Sequence, residues 1–205
     1  AINWELGLRH FSPRFSTELM LFYSDYDNLL GECTASSGSD CAVGDAFNGD
    51  AASVLGVEFA IAGNLYESIN VTVPLSFNYT YINSEFDSNI ADTDFFGSVS
   101  KGDPIPYIPD NQLNLNVGLL GNRWSTNLSA TYVDAVCVRA SCDTLERTDS
   151  SLTIDVSAHY DVKESTGIFA KIENLFEDKD IMGRHPYGAR PNKGRTATIG
   201  IRFNF

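Results

Sequence analysis

The stretch Ser151–Asp161, SLTIDVSAHYD, alternates apolar and polar side chains along its whole length. Its apolar positions are Leu152, Ile154, Val156, Ala158 and Tyr160, and its polar positions are Thr153, Asp155, Ser157, His159 and Asp161. Successive side chains of a β-strand point to opposite faces of the sheet. This period of two therefore predicts a strand with one apolar face and one wet face.

The same alternation recurs along the chain and predicts an all-β fold built from antiparallel strands. The nine predicted segments are 2–10, 16–27, 52–63, 67–83, 111–121, 124–136, 151–161, 167–175 and 195–205. Most of them reach the roughly 9–11 residues that a tilted membrane-spanning strand needs, whereas strands of globular proteins average about 5–6. No apolar run approaches the length of a transmembrane helix.

The connections between these segments alternate regularly in length. The short ones are Phe11–Phe15, Gly63–Tyr66, Asn122–Arg123 and Val162–Thr166, and the long ones are Asn28–Ala51, Ser84–Asp110, Cys137–Ser150 and Phe176–Gly194. Outer-membrane barrels have short periplasmic turns and longer extracellular loops. The pattern therefore predicts a transmembrane β-barrel with its long loops outside and its C-terminus on the periplasmic side.

Aromatic residues lie on the apolar faces, often near segment ends, at Trp4, Tyr23, Trp124, Tyr132, Tyr160 and Phe205. They are typical of the aromatic girdles at bilayer interfaces, and equally of ordinary strand packing.

Two features show where the predicted sheet is interrupted. Pro74 lies inside a segment and requires an edge, a bulge or a local break, because proline cannot donate a ladder hydrogen bond. Nine strands leave an open edge, which lipid does not tolerate, and the chain opens on Ala1 inside an alternating segment without a signal peptide. We therefore expect further strands before Ala1.

Composition limits the function. The net charge of −13 argues against nucleic-acid binding, which needs a basic surface. The acidic clusters in Asp25–Asp50 and Glu85–Asp94 indicate solvated loops or cation binding. In the second case the carboxylates would either form a metal ligand set or bind divalent ions that bridge lipopolysaccharide. The histidines His10, His159 and His185 lack metal-ligand spacing, and no nucleophile or phosphate-loop motif is present, so we expect no enzyme and no cofactor.

The four cysteines form two close pairs, Cys33/Cys41 and Cys137/Cys142, in polar stretches rich in turn residues. Neither pair has CxxC spacing and no histidine lies close by, which favours two loop disulfides over zinc. Disulfides in turn imply an oxidising compartment.

The last stretch, Ile168–Phe205, reads IFAKIENLFEDKDIMGRHPYGARPNKGRTATIGIRFNF and resembles the C-terminal end of TonB-dependent receptors. The matching features are Glu173-Asn174-Leu175-Phe176, Asp178-Lys179-Asp180, Gly188-Ala189-Arg190-Pro191, Arg195-Thr196 and the final strand ending on Phe205. The proline-rich Asp103–Pro109 before a strand is also similar to the family. Within it, the loops most resemble the ferric-dicitrate receptor type.

This resemblance implies a plugged outer-membrane barrel of about 22 strands, of which residues 1–205 would be the last nine strands. The plug domain, the earlier strands and the TonB box that contacts a TonB-type energy transducer would then be absent. The implied partners are a ferric chelate such as ferric citrate or a siderophore, the barrel-assembly machinery reading Phe205, and lipid with lipopolysaccharide.

The candidate ligand-binding residues are cationic or aromatic and lie in the long loops, at Arg184, His185, Tyr187, Arg190 and Arg139. Arginine can hold the carboxylates of an anionic chelate bidentately. Alternatively Arg190 and Arg195 are structural and pair with Asp155 or Glu173. His159, Arg195 and Arg202 are expected to face the lumen and contact the plug.

Three hypotheses of different class follow. The leading one is an energy-coupled receptor for a ferric chelate. A passive porin would share the alternation and the terminal Phe205 but have no plug. A soluble secreted all-β binding protein would need the apolar faces of its strands to form one interior core.

Overall fold

The computed structural model of the protein describes residues 1–32, 42–93, 97–140, 142–184 and 188–203. The strands of its main sheet are β1 (Ile2–Phe11), β2 (Phe15–Tyr26), β3 (Ala52–Glu67), β4 (Val71–Phe86), β5 (Asn111–Gly121), β6 (Trp124–Val133), β7 (Ser151–Lys163), β8 (Thr166–Glu173) and β9 (Thr196–Phe203). The predicted all-β class is confirmed. The described residues include one short 3₁₀ turn, Thr144–Glu146, and no helix long and apolar enough to cross a membrane.

The nine strands form a single antiparallel meander in which each strand pairs with the next along the chain. Antiparallel order puts all four short turns at one end of the sheet and all four long loops at the other. We call these the turn end and the loop end. Three of the long loops carry small hairpins of their own, Leu30–Glu32 with Ala46–Asn48, Ile90–Thr93 with Gly97–Val99, and Ile181–Gly183 with Arg190–Pro191.

The register of the sheet places mostly apolar side chains on one face and mostly polar ones on the other over its centre. One cross-strand row runs through seven strands as Leu8, Leu19, Phe59, Tyr79, Leu113, Tyr132 and Leu152. The adjacent row on the opposite face runs as Arg9, Glu18, Ala60, Asn78, Asn114, Thr131 and Thr153. A slip of one residue would exchange the two faces, so the alternation in the sequence fixes this register.

The apolar face is uncovered. Trp4 is 70 % exposed and Ile199 is 85 % exposed, and the face between them continues to present large apolar side chains such as Leu21, Leu128 and Tyr160. No second layer covers this face in the described part of the chain, so it does not form the interior core that the soluble alternative requires. Exposed apolar surface on this scale marks an interaction with a membrane or a protein.

Aromatic side chains of the apolar face lie near both ends of the sheet. Trp4 pairs with Tyr23, and Tyr132 pairs with Leu152, close to the loop end. Trp124 pairs with Tyr160 at the turn end. Such rows at two levels are typical of the girdles that flank the apolar band of outer-membrane barrels.

The predicted turn at Gly63–Tyr66 is wrong by four residues. β3 continues to Glu67 through a bulge between Asn64 and Tyr66, and the turn follows at Ser68, whose hydroxyl bonds the backbone of Val71. The bulge breaks the strict period of two, which hid the end of the strand.

Pro74 lies at the local break that its missing N–H requires. Thr72 pairs with Leu120 and Leu75 pairs with Val117, but the ladder between them is interrupted at Val73 and Pro74. A Cβ at Gly118 would meet the Pro74 ring at 2.8 Å, so glycine provides the room for this proline.

Several other predicted boundaries shift by one to three residues. β6 ends at Val133 instead of 136 because Val136 donates its N–H to Thr148 Oγ1 within the next loop. β8 ends at Glu173 instead of 175, and β9 covers Thr196–Phe203. Phe205 lies outside the described residues.

The densest apolar core lies at the loop end, where the ends of β3 and β4 meet the second and third long loops. Phe86 is fully buried and packs with Ala52, Val99 and Ala140, and the partly buried Leu29, Ile90 and Ile105 surround them. Backbone bonds from Phe86 N to Asp103 O and from Ile105 N to Ser84 O hold the proline-rich stretch against β4. The loop end is therefore a packed layer that can position side chains.

Candidate functional site

The last three long loops are tied together at the loop end. Tyr107 N donates to Cys137 O at 2.9 Å, which joins the second long loop to the third. Asp149 N donates to Ile181 O at 2.9 Å, and Ile181 N donates to Asp149 Oδ2 at 2.8 Å, which joins the third to the fourth. Residues far apart in sequence thus share one surface.

A disulfide lies within the third long loop, between Val133 and Ser151. Cys137 is bonded to Cys142, as the spacing predicted, so this pair is not a zinc site. The other predicted pair, Cys33 and Cys41, lies outside the described residues.

One contact links the arginines of the third and fourth long loops across this junction. Arg184 Nε donates to Arg147 O at 2.5 Å, and Arg139 Nε lies 3.6 Å from Glu146 Oε1, next to Arg147 in the chain. Arg190 pairs with Gly183 across the hairpin and follows Arg184 in the same loop. We call Arg139, Arg147, Arg184 and Arg190 the loop arginine cluster.

The structure places the predicted ligand residues Arg139, Arg184 and Arg190 in two loops that contact each other, and the bond from Arg184 to the Arg147 carbonyl adds Arg147 to them. Sequence reasoning missed Arg147 because only the contact between the two loops places it beside Arg184. The predicted His185 and Tyr187 lie outside the described residues. Guanidinium groups are suited to binding carboxylates or catecholate oxygens, and in this cluster one carboxylate, Glu146, already offsets part of the charge.

Arg195 has a different partner from the one expected. Its Nη2 lies 3.2 Å from Glu177 Oε2, and its Nη1 donates to Leu175 O at 3.5 Å. The expected carboxylates are engaged elsewhere, since Glu173 pairs with Lys171 at 3.0 Å and Lys193 at 2.8 Å, and Asp155 accepts from Asn174 N. The structural role proposed for Arg195 is supported, with the partner corrected to Glu177.

Asn174 organises the root of the fourth long loop. It is 2 % exposed and has a positive φ of 52°, a conformation that asparagine tolerates. Its Nδ2 donates to Asp178 O and Lys193 O, both at 2.9 Å, and its Oδ1 accepts from Asp178 N at 3.0 Å. One buried amide thus joins both ends of the loop that carries Arg184 and Arg190.

His159, Asp161 and Arg202 form a charged group on the polar face at the turn end. His159 Nε2 lies 2.8 Å from Asp161 Oδ1, and Arg202 Nη2 lies 3.7 Å from the same oxygen. Gly167 lies between them, where a Cβ would meet the His159 ring at 2.6 Å. Arg195 is at the opposite end of the sheet, so the three residues predicted to face the lumen do not form one site.

A polar network lies on the apolar face at the loop end. It marks the level at which the apolar side chains of this face end. Tyr79 Oη donates to Asn111 Oδ1 and Asn111 Nδ2 donates to Asp134 Oδ2, both at 2.6 Å, and Tyr132 Oη donates to Asp134 Oδ1. The hydrogen bonds from Tyr132 and Asn111 hold the pKa of the Asp134 carboxyl below its usual value. Among the described residues, no group of three or more histidine, cysteine or acidic side chains is placed to hold a metal ion.

Several solved structures similar to this chain are named for iron compounds, and another, the copper transporter OprC, matches with a TM-score of 0.67 at 16 % identity, over 99 % of this chain and 31 % of its own. The ferric yersiniabactin uptake receptor FyuA from Yersinia pestis matches with a TM-score of 0.73 at 20 % identity, over 99 % of this chain and 29 % of its own. The ferric-catecholate import receptor Fiu from E. coli K12 gives 0.70 at 18 %, over 99 % and 27 %. The ferric citrate transporter FecA gives 0.71 at 19 %, over 98 % and 30 %.

These likenesses establish the fold, and the chain spans less than a third of the length of each receptor. No curated protein matches the chain. The family model described as TonB dependent receptor-like, beta-barrel, matches residues 1–175. That match covers most of the 205 residues, and the nine-stranded meander agrees with it. The chain therefore belongs to the β-barrel family of TonB-dependent receptors.

Proposed function

We propose that the chain is the last nine-stranded part of an outer-membrane receptor that imports a ferric chelate by energy-coupled transport. The observation that carries this proposal is the exposed apolar face of a nine-stranded meander in a chain of this family. The plug, the earlier strands and the contact with a TonB-type transducer would be supplied by the rest of the receptor.

In this arrangement the apolar face contacts lipid and the polar face lines the lumen. The central strands, at about 3.3 Å per residue, are long enough to cross the apolar core when tilted. The open edges of β1 and β9 would pair with further strands of the same receptor, because lipid offers no hydrogen bonds to a free edge.

The polar face has the chemistry expected of a wall that contacts a folded plug. His159, Asp161 and Arg202 form one charged group, and Arg9 pairs with Glu18 at 2.8 Å on the same face. Fixed charges of both signs can bind a polar domain without holding it permanently, since exposed ion pairs contribute only about 0–1 kcal/mol each.

We propose the loop arginine cluster as part of the binding site for an anionic chelate. FyuA, Fiu and FecA are named for ferric yersiniabactin, ferric catecholate and ferric citrate, which supports an iron chelate as the substrate class here. The cluster spans two loops that the Asp149–Ile181 bonds join, and the bond from Arg184 Nε to Arg147 O holds one of its guanidinium groups at their contact. His185 and Tyr187 stay sequence-based candidates for the same site.

An uptake assay tests both parts of the proposal. The complete receptor that contains this segment is expressed in its source bacterium after the chromosomal copy of its gene has been deleted. ⁵⁵Fe is then supplied as ferric citrate or as a ferric siderophore. We expect saturable uptake that a protonophore abolishes. Uptake that is unaffected by the protonophore would favour the passive porin.

The double variant Arg184→Gln/Arg190→Gln tests the binding site. We expect its apparent affinity for the transported chelate to fall about tenfold or more, since hydrogen bonds to charged groups contribute about 1.5–3 kcal/mol each. The matched control is Lys101→Gln, which removes a cation from the second long loop, where Lys101 lies 3.9 Å from Asp87. An equal loss in the control would show that only the net charge of the loops matters.

A further inference from the structure

A groove crosses the apolar face of β6 to β9 near the turn end. Its floor is a row of mostly small side chains, in which Thr126 pairs with Ala158, Ala158 with Ala170 and Ala170 with Ile199. The next row towards the turns is made of larger side chains, Trp124, Tyr160 and Ile168, and forms one wall. The groove is open to the surface and has a volume of about 360 Å³.

Arg123 lies at the end of this groove that faces the turns. Its guanidinium carbon is 5.7 Å from the centre of the Tyr160 ring, within the range of a cation–π contact. Its Nε donates to Asp161 O at 2.9 Å and its Nη2 donates to Val162 O, so two backbone carbonyls fix its position.

The charge of Arg123 has no carboxylate partner in the described part of the chain. Both of its polar partners are backbone carbonyls, and a guanidinium has five N–H donors, so three donors are left for another group. A held, exposed and uncompensated cation directly beside an apolar groove complements a molecule with an anionic head and an apolar chain.

We infer that the groove binds one acyl chain of an anionic glycerophospholipid whose phosphate is held by Arg123. The inference rests on the proposed membrane placement, in which the Trp124 and Tyr160 level is the bilayer interface, where headgroups lie. The phosphate then meets the guanidinium at the interface, and the chain runs over Ala158 and Ala170 into the apolar band. The bound lipid would lie in the membrane leaflet on the side of the turn end.

The test is native mass spectrometry of the complete receptor, reconstituted in bilayer nanodiscs and released into detergent. The probes are phosphatidylglycerol and phosphatidylcholine with identical acyl chains. We expect phosphatidylglycerol to be retained at least threefold more than phosphatidylcholine. Arg123→Gln should abolish this preference, and Ala170→Leu, which fills the groove, should reduce the retention of both lipids.

Two matched variants separate this site from general effects. Arg14→Gln removes another cation from a turn at the same end, and Ala130→Leu enlarges a small residue between Leu115 and Ile154, away from Arg123. Neither should change the retention of lipid. Equal effects of Arg123→Gln and Arg14→Gln, or a bound protein occupying the groove instead of lipid, would overturn the inference.

Failure of the membrane proposal is distinguishable from failure of the lipid site. A receptor that does not enter nanodiscs would refute both. A receptor that enters nanodiscs normally but retains the two lipids equally would refute the lipid site alone.

Discussion

Asn174 offers the sharpest test of how the fourth long loop is held. Substitution by glycine keeps the positive φ but removes the three side-chain hydrogen bonds to Asp178 and Lys193. At about 1 kcal/mol for each bond, the loop should open more easily by about 3 kcal/mol. Substitution by alanine should cost about 1 kcal/mol more, because its Cβ disfavours the left-handed conformation.

Hydrogen exchange of the complete receptor in detergent measures this opening directly. The amides of Asp178 and Asn192, which donate to Asn174 Oδ1 and Asp180 O, should exchange roughly a hundredfold faster in Asn174→Gly. The control is Asn192→Ala, which removes a single long hydrogen bond of 3.4 Å to Asp180 in the same loop and should have a small effect. Equal acceleration in both variants would refute the central role given to Asn174.

Three further predictions concern other contacts. Because the folded pKa of Asp134 is lowered, its contribution to stability is complete above its unfolded pKa of about 3.9 and is lost as the pH falls through the folded value. Asp134→Asn should therefore flatten the acid end of the unfolding profile measured by tryptophan fluorescence, and an unchanged profile would contradict this. Gly200→Ala would place a Cβ 2.3 Å from Phe169 Cζ, so it should destabilise the barrel by about 1–3 kcal/mol in urea unfolding, and adding Phe169→Leu should restore most of the loss. Reducing the Cys137–Cys142 bond should loosen its loop by about 2 kcal/mol, which limited proteolysis would detect as faster cleavage between residues 134 and 150 than in the oxidised protein.

The sheet could be predicted from the sequence because its signal is local. Each strand has one mostly apolar and one mostly polar face, so the alternation in Ser151–Asp161 fixes both the strand and the direction of its side chains. The main error arose at Asn64–Tyr66, where a bulge adds a residue and removes the period. Pro74 pointed correctly to a break in the ladder, although not to the glycine at position 118 that accommodates it.

The loops could not be predicted in the same way, because their contacts join residues distant in sequence. The packing of Phe86 with Ala140 and the bond from Arg184 to Arg147 depend on how separate loops meet above the sheet. The Glu173-Asn174-Leu175-Phe176 motif indicated an important position, but its sequence does not show that Asn174 binds Asp178 and Lys193. Likewise, the sequence does not show that Arg195 pairs with Glu177 while Glu173 pairs with Lys171 and Lys193.

The most direct test of the membrane placement is spin labelling along β7 of the complete receptor in lipid bilayers. Single labels at Ile154, Asp155, Val156, Ser157 and Ala158 would be tested for collisions with oxygen, which concentrates in lipid, and with a water-soluble nickel chelate. The proposed placement predicts a period of two, with oxygen reaching 154, 156 and 158 and nickel favouring 155 and 157. Equal accessibility at neighbouring positions, or the reverse pattern, would contradict a sheet with one face in lipid and the other in the lumen.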